Sequence, residues 1–226
     1  NIKEKYWEGE VTLWFSLEIV SFGGEVRFFI RTPAKRKNSV EAYFYAQYPD
    51  IEVVEIDDYI MRMPQTLREL YQGGYDLAGG ETVLDKEDSY PIRTHRQFES
   101  PDEEHQLDPV SALLEILGKM NPGEDTWLQI IIRPATHAWR NKASALLKKL
   151  REASLVETKI SVGEQQIMPM IRDLRTPEQE NIQKAIAESM SKPGFDTVIR
   201  WVYFATQAIF NKELAQRGVA GALNQY

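Results

Sequence analysis

Apolar side chains between residues 11 and 19 fall on alternate positions, Val11, Leu13, Phe15, Leu17 and Ile19, and this period of two predicts a half-buried strand. Gly23-Gly24 then predicts a tight hairpin with both turn residues at positive φ. Counting outward from the turn pairs Phe22 with Glu25, Ile19 with Phe28 and Leu17 with Ile30. That register places Leu13, Phe15, Leu17, Ile19, Phe28 and Ile30 on one face, expected to be core. Trp14, Ser16, Glu18, Arg27, Phe29 and Arg31 share the other, expected to face outward.

Thr32-Pro33 has the form of a helix start, and Val40, Tyr43, Phe44 and Gln47 follow at helical spacing until Pro49 stops the run. Residues 51–56 are expected to form a third strand. Residues 73–106 lose periodicity in Gly-Gly pairs and acidic residues, with alternation only over 90–98, and are expected to be loop or linker. Asp108-Pro109 opens a second helix through Val110, Leu113, Leu114 and Leu117, ended by Pro122-Gly123. Residues 127–132 are apolar on both faces and predict an interior strand. Trp139, Ala143, Leu146, Leu147 and Leu150 form the stripe of a further helix. Residues 155–174 are ambiguous. Thr176-Pro177 starts a helix carrying Ile182, Ile186 and Met190, residues 195–204 form a last two-sided strand, and a terminal helix follows from about Gln207.

These elements predict an α+β fold of mixed or antiparallel sheets with packed helices, arranged as ferredoxin-like plaits. Three segments are expected: a strand-hairpin-helix-strand subdomain over 1–72, a loop region over 73–107, and a second α+β subdomain over 108–226. Arg31-Thr32-Pro33 before Pro49 and Arg175-Thr176-Pro177 before Pro193 share an 18-residue interval. An internal duplication and the chance reuse of Thr-Pro starts explain this echo equally.

Composition narrows the chemistry. The 226 residues include no cysteine, which removes disulfides, thiolate zinc sites and cysteine nucleophiles, and predicts a reducing, cytoplasmic setting. No apolar run reaches the length of a membrane span. The chain begins at Asn1 and has the look of a piece of a longer protein, so these exclusions concern this segment alone.

The Gly-rich run 73–80 leads into Glu81-Thr82 and lacks the lysine of a phosphate loop. Glu103, Glu104, His105 and Asp108 form a local acidic group with one imidazole, better explained as a solvated loop before a helix cap than as a metal site. Asp57-Asp58 point to opposite faces if they lie in a strand, and a turn is the better account. A hydrolase would have to rest on Asp57, Asp58 and His105 with an added metal. No cofactor, metal or catalytic residue is assigned.

The remaining chemistry lies on the outward face of the hairpin, where Trp14, Arg27, Phe29 and Arg31 stand near Lys35, Arg36 and Lys37. Aromatic rings interleaved with cations suit single-stranded nucleic acid. The net charge of −7 opposes that use, and an interface with protein would enrich the same residue types.

The run from Leu17 to Pro33 (LEIVSFGGEVRFFIRTP), with Val40-Glu41-Ala42 and Tyr45-Ala46-Gln47-Tyr48-Pro49, resembles the N-terminal region of bacterial type IV secretion or conjugation-type DNA-transfer ATPases. Residues 108–115 (DPVSALLE), 127–134 (WLQIIIRP), 192–195 (KPGF) and 224–226 (NQY) look like later landmarks of that region. The resemblance implies a non-catalytic accessory domain ahead of a HerA/FtsK-type motor carried by a longer parent. It implies protein partners, either secretion-channel components or the parent's own ATPase domain and subunits, with an oligomer and weak DNA contact as further expectations. It also implies a position at the inner face of the membrane through that parent, without insertion by this segment. A nucleic-acid-binding module on the hairpin face is the alternative.

Overall fold

Gly23 and Gly24 take φ of +57° and +93°, the left-handed pair that matches a two-residue turn to the twist of its strands. They join β1 (Phe15–Phe22) to β2 (Glu25–Arg31) in the expected register, with Phe22 opposite Glu25, Ile19 opposite Phe28 and Leu17 opposite Ile30. The computed structural model describes residues 13–94, 110–162, 166–211, 213–214, 218 and 220–223. After β2, a 3-10 turn (Ala34–Arg36) leads into α1 (Lys37–Gln47), and a second 3-10 turn (Tyr59–Arg62) precedes α2 (Leu67–Gln72) and β3 (Tyr75–Thr82). Then come α3 (Ser111–Gly118), β4 (Glu124–Pro134), α4 (Ala138–Ala153), β5 (Leu155–Val162), β6 (Gln166–Asp173), α5 (Pro177–Ser191), β7 (Phe195–Thr206) and α6 (Ala220–Leu223).

The fold is α+β, as expected. Five strands form one sheet in the order β2-β1-β4-β7-β3, and β5 pairs with β6 in a separate two-stranded sheet. The chain divides into two compact units: one from residues 1–83, 93–133 and 197–226, the other from 84–92 and 134–196. These boundaries differ from the three segments expected, because β7 returns to the sheet begun by β1.

The large sheet is covered on both faces, and strand alternation sorts its residues between them. On one side Leu113 and Leu117 of α3 pack with Met120, Leu128, Trp201, Tyr203 and Ala205, joined by Ile19 and Val26. On the other, Tyr59 of the second 3-10 turn, Met63 just after it and Leu70 of α2 cover Val20, Trp127 and Phe204, with Phe22 and Phe29 at the margin. In the second unit Ala143, Leu146 and Leu147 of α4 meet Ile186 of α5. Thr176 caps α5 in a full capping box with Gln179, and Pro177 is the first helical residue.

Several sequence expectations are corrected. Residues 51–56 join no ladder: Val54 and Ile56 are exposed, and side-chain ties from Glu55 to Lys37 and from Asp58 to Arg31 hold the segment instead. Residues 75–82, expected within a loop, are β3, antiparallel to β7. Gly80 serves that strand, since a Cβ there would lie 3.3 Å from the Trp201 ring. Residues 90–94 form no strand, and 95–98 lie outside the described residues. The Thr-Pro echo does not repeat in three dimensions: Thr32 caps nothing and its buried hydroxyl lacks a partner, whereas Thr176 caps α5.

A buried polar knot fastens the hairpin turn to α3. The Ser21 hydroxyl donates to the Leu117 carbonyl at 2.7 Å and accepts from the Gly24 amide at 3.1 Å. Nearby, the Glu124 carboxylate accepts from the Tyr203 hydroxyl at 2.7 Å and from the Asn121 amide at 2.7 Å. Burial pushes the Glu124 carboxyl up, but these donors outweigh it and hold the group below the usual carboxylate range. Burial first, and then the bond to Glu124, pushes the Tyr203 hydroxyl up to about 12.

A folded-state value raised above that of the unfolded chain keeps its stabilisation below the unfolded value and loses it as pH rises to the folded one. Stability therefore falls between pH 10 and about 12. Tyr203→Phe is expected to remove about 1–2 kcal/mol of that alkaline loss. Urea unfolding at pH 9 and pH 11.5 measures the difference.

Candidate interaction face

Of the seven residues singled out in the sequence, Trp14 precedes β1 and the other six lie on β2 or in the turn and helix that follow it, and the structure separates them. Phe29 is half-buried with its ring stacked on Tyr59 at 5.2 Å between centroids, and Tyr59 in turn meets Trp127 edge-on at 5.1 Å. One face of the Phe29 ring is thereby occupied. Arg27 donates through Nε and Nη2 to Glu25 Oε1 at 3.0 and 2.7 Å. Arg31 donates to Asp58 Oδ2 at 2.6 Å, and its guanidinium lies 5.9 Å from the centre of the exposed Trp14 ring. Lys37 donates to Glu55 and lies 3.9 Å from Glu41. The bond that Lys37 donates to Glu55 raises the Lys37 ammonium above its ordinary value and lowers the Glu55 carboxyl. Lys35 and Arg36 are exposed and make no ion pair among the described residues.

The face expected to point outward is buried on β1, where Ser16 is 1% and Glu18 5% exposed. On the face expected to be core, Ile19 and Val26 do pack against α3, but Leu17 is 40% and Phe28 67% exposed. A chain of polar side chains explains why the polar face is the buried one. Tyr59 donates its hydroxyl to Glu18 Oε2, Gln129 Nε2 donates to the Tyr59 oxygen at 2.8 Å, and Arg200 Nε donates to Gln129 Oε1 at 2.8 Å. Glu18 and Gln129 are directly opposed on β1 and β4. The sheet thus carries a line of polar groups that runs from buried Glu18 to exposed Arg200. Sequence reasoning missed this line; its one visible trace is the series Ser16, Glu18, Val20 on a single strand face.

A family model spans residues 11–226. The chain belongs to the DUF8128 family, a domain of unknown function. No curated protein and no solved structure matches it.

Within this DUF8128 chain, the Glu18–Tyr59 pair is a buried bond with a fixed donor. Burial first, and then the bond to Glu18, pushes the Tyr59 hydroxyl far above the usual tyrosine range, so it stays protonated and donates. Asp58, expected in a turn, accepts from the Ile60 amide at 3.1 Å and caps the second 3-10 turn. The group Glu103, Glu104, His105 and Asp108 lies outside the described residues. Among the described residues, no cluster of three or more His, Asp or Glu side chains is arranged to hold a metal. No described helix is long and apolar enough to cross a membrane.

What the DUF8128 surface does offer is apolar area. α1 has no buried residue, and Tyr43 and Tyr48 are exposed on it and at its end. Val54, Ile56 and Met61 are exposed along the segment that follows.

Proposed function

We propose that this DUF8128 chain is a non-catalytic assembly domain of a DNA-translocating ATPase of the type IV secretion kind, acting through protein–protein contacts. The observation that supports this best is α1, a helix without a single buried residue that displays Tyr43 and Tyr45. An amphipathic helix stabilised by tertiary packing would bury a stripe, and exposed aromatic area is the usual currency of protein interfaces. The resemblance described above supplies the partner class: the parent's motor region or a channel component at the cytoplasmic side of the membrane.

The alternative, nucleic-acid binding on the hairpin face, receives less support. Arg27, Arg31 and Lys37 are already paired with carboxylates, and Phe29 is stacked within the fold. Fluorescence-anisotropy titration with single- and double-stranded DNA at low salt is expected to be flat, and unchanged by Arg27→Ala/Arg31→Ala. In parallel, Tyr43→Ser/Tyr48→Ser is expected to weaken binding to the parent's motor region or a channel component at least tenfold, with the fold retained. Salt-dependent DNA binding lost in the Arg double variant would favour the alternative, and intact partner binding in the Tyr double variant would remove α1 from the interface.

A further inference from the structure

The backbone of β2 is the outer edge of the five-stranded sheet. Which of its amides face outward follows from one bond: Gly23 N donates to the Glu124 carbonyl at 2.9 Å. That fixes Gly23 opposite Glu124 as a hydrogen-bonded pair, so by alternation Ser21, Ile19 and Leu17 direct their amides toward β4. Phe22, Val20, Glu18 and Ser16 then direct theirs toward β2, where they engage Glu25, Arg27, Phe29 and Arg31. Val26, Phe28 and Ile30 are left with outward amides and carbonyls, which no turn or loop bond takes up among the described residues. An unpaired edge of this kind is a template for a further strand.

We propose that β2 pairs antiparallel with β2 of a second copy of this chain, about a two-fold axis at Phe28. The sequence of the strand, EVRFFIR, is complementary to itself in that register. Glu25 falls opposite Arg31, Val26 opposite Ile30, Arg27 opposite Phe29, and Phe28 opposite Phe28. One face of the joint then carries two carboxylate–guanidinium pairs and two guanidinium–ring contacts, and the other is wholly apolar.

Neighbouring registers are worse. Centring on Arg27 sets Arg27 against Arg27, and centring on Phe29 sets Arg27 against Arg31, like charges directly opposed. The Phe28 register also places its hydrogen-bonded pairs at Val26, Phe28 and Ile30, the three residues with free outward groups.

The side chains needed are available. Phe28 is 67% exposed. Glu25 and Arg31 keep 65% and 50% of their side-chain surface in solvent, free to exchange their present partners for those across the axis. This pairing deepens the assembly role proposed above by naming one partner, yet it rests on edge geometry and not on the secretion resemblance.

Sedimentation equilibrium of the 226-residue chain tests it, alongside Glu25→Arg, Arg31→Glu and the double reversal. A monomer–dimer equilibrium is expected, weakened about tenfold or more by each single reversal and returned to within about threefold of the parent by the double. Because the chain has no cysteine, Phe28→Cys gives an independent readout. Opposed Cα atoms of a hydrogen-bonded pair lie about 5.5 Å apart, within disulfide reach. Phe28→Cys is expected to form a covalent dimer on mild oxidation, and Lys148→Cys, at an exposed position of α4, to do so far more slowly.

A chain that stays monomeric to about 200 µM overturns the proposal, as does a double reversal no tighter than the singles or equal cross-linking at both cysteines. A monomer that still binds its motor partner would overturn this pairing alone and leave the assembly role intact.

Discussion

Gly24→Ala is expected to cost about 3 kcal/mol and to lower Tm by roughly 6–12 °C. Gly24 holds φ at +93°, and a Cβ there would sit 2.7 Å from the Met120 carbonyl oxygen and 3.1 Å from that of Gly118. Both obstacles are backbone atoms, one at the last residue of α3 and one just beyond it, so relief requires the hairpin to lift away and break the Ser21 bond to Leu117. Gly74→Ala is the control, because Gly74 has φ of +78° but nothing within 4 Å of its added Cβ. It is expected to cost only the backbone strain, about 1–2 kcal/mol. Chemical denaturation of both variants separates strain from collision; equal losses would mean that the contact with α3 contributes nothing.

Tyr59→Phe is expected to cost about 3 kcal/mol although it barely changes the shape of the core. The ring stays packed against Phe29 and Trp127. What disappears is the donor to Glu18 and the acceptor for Gln129, leaving a carboxylate in a residue 5% exposed without its partner. Adding Glu18→Gln to the Phe variant is expected to recover about 1–2 kcal/mol, because a neutral amide is cheaper to leave in that site. A loss below about 1 kcal/mol for Tyr59→Phe would show that water substitutes for the hydroxyl.

The local grammar of the chain was readable wherever one rule governed. Gly23-Gly24 dictated the hairpin and its register, and Thr176-Pro177 dictated a helix start. The stripe of Leu146, Leu147 and Ala143 marked α4, and Leu113 with Leu117 marked α3. Face assignment failed because the sheet is covered on both sides. Counting apolar residues on β1 favoured Leu17 and Ile19, but the opposite face buries Ser16 and Glu18 through bonds to residues far along the chain.

Pairing partners were equally hidden. β3 reads as a Gly-rich loop until Trp201 of β7 is seen lying on Gly80, and residues 51–56 read as a strand although no neighbour accepts them. For the candidate face, the clustering of Arg27, Arg31 and Lys37 was legible. The neutralisation of Arg31 and Lys37 was not, since Asp58 and Glu55 approach only through the path of the chain after α1. The edge complementarity of β2 was present in seven letters, but only a known outer position in the sheet gives it meaning.

β4 and β7 are neighbours in the large sheet, yet β4 ends at Pro134 and β7 begins at Phe195, with 60 residues between them. A backbone bond of 2.9 Å from Ala135 to Gly194 ties the two ends of that excursion together. During synthesis, at about 5–20 residues per second, β4 emerges about 3–12 s before the strand that closes its free side. Trp127 and Leu128, buried on opposite faces of the finished sheet, belong to a strand left open for that interval while α4, β5, β6 and α5 are being made. The ribosome therefore delivers the segment between β4 and β7 before the sheet can close, so slower translation of residues 135–194 lengthens the time for which one side of β4 stays open.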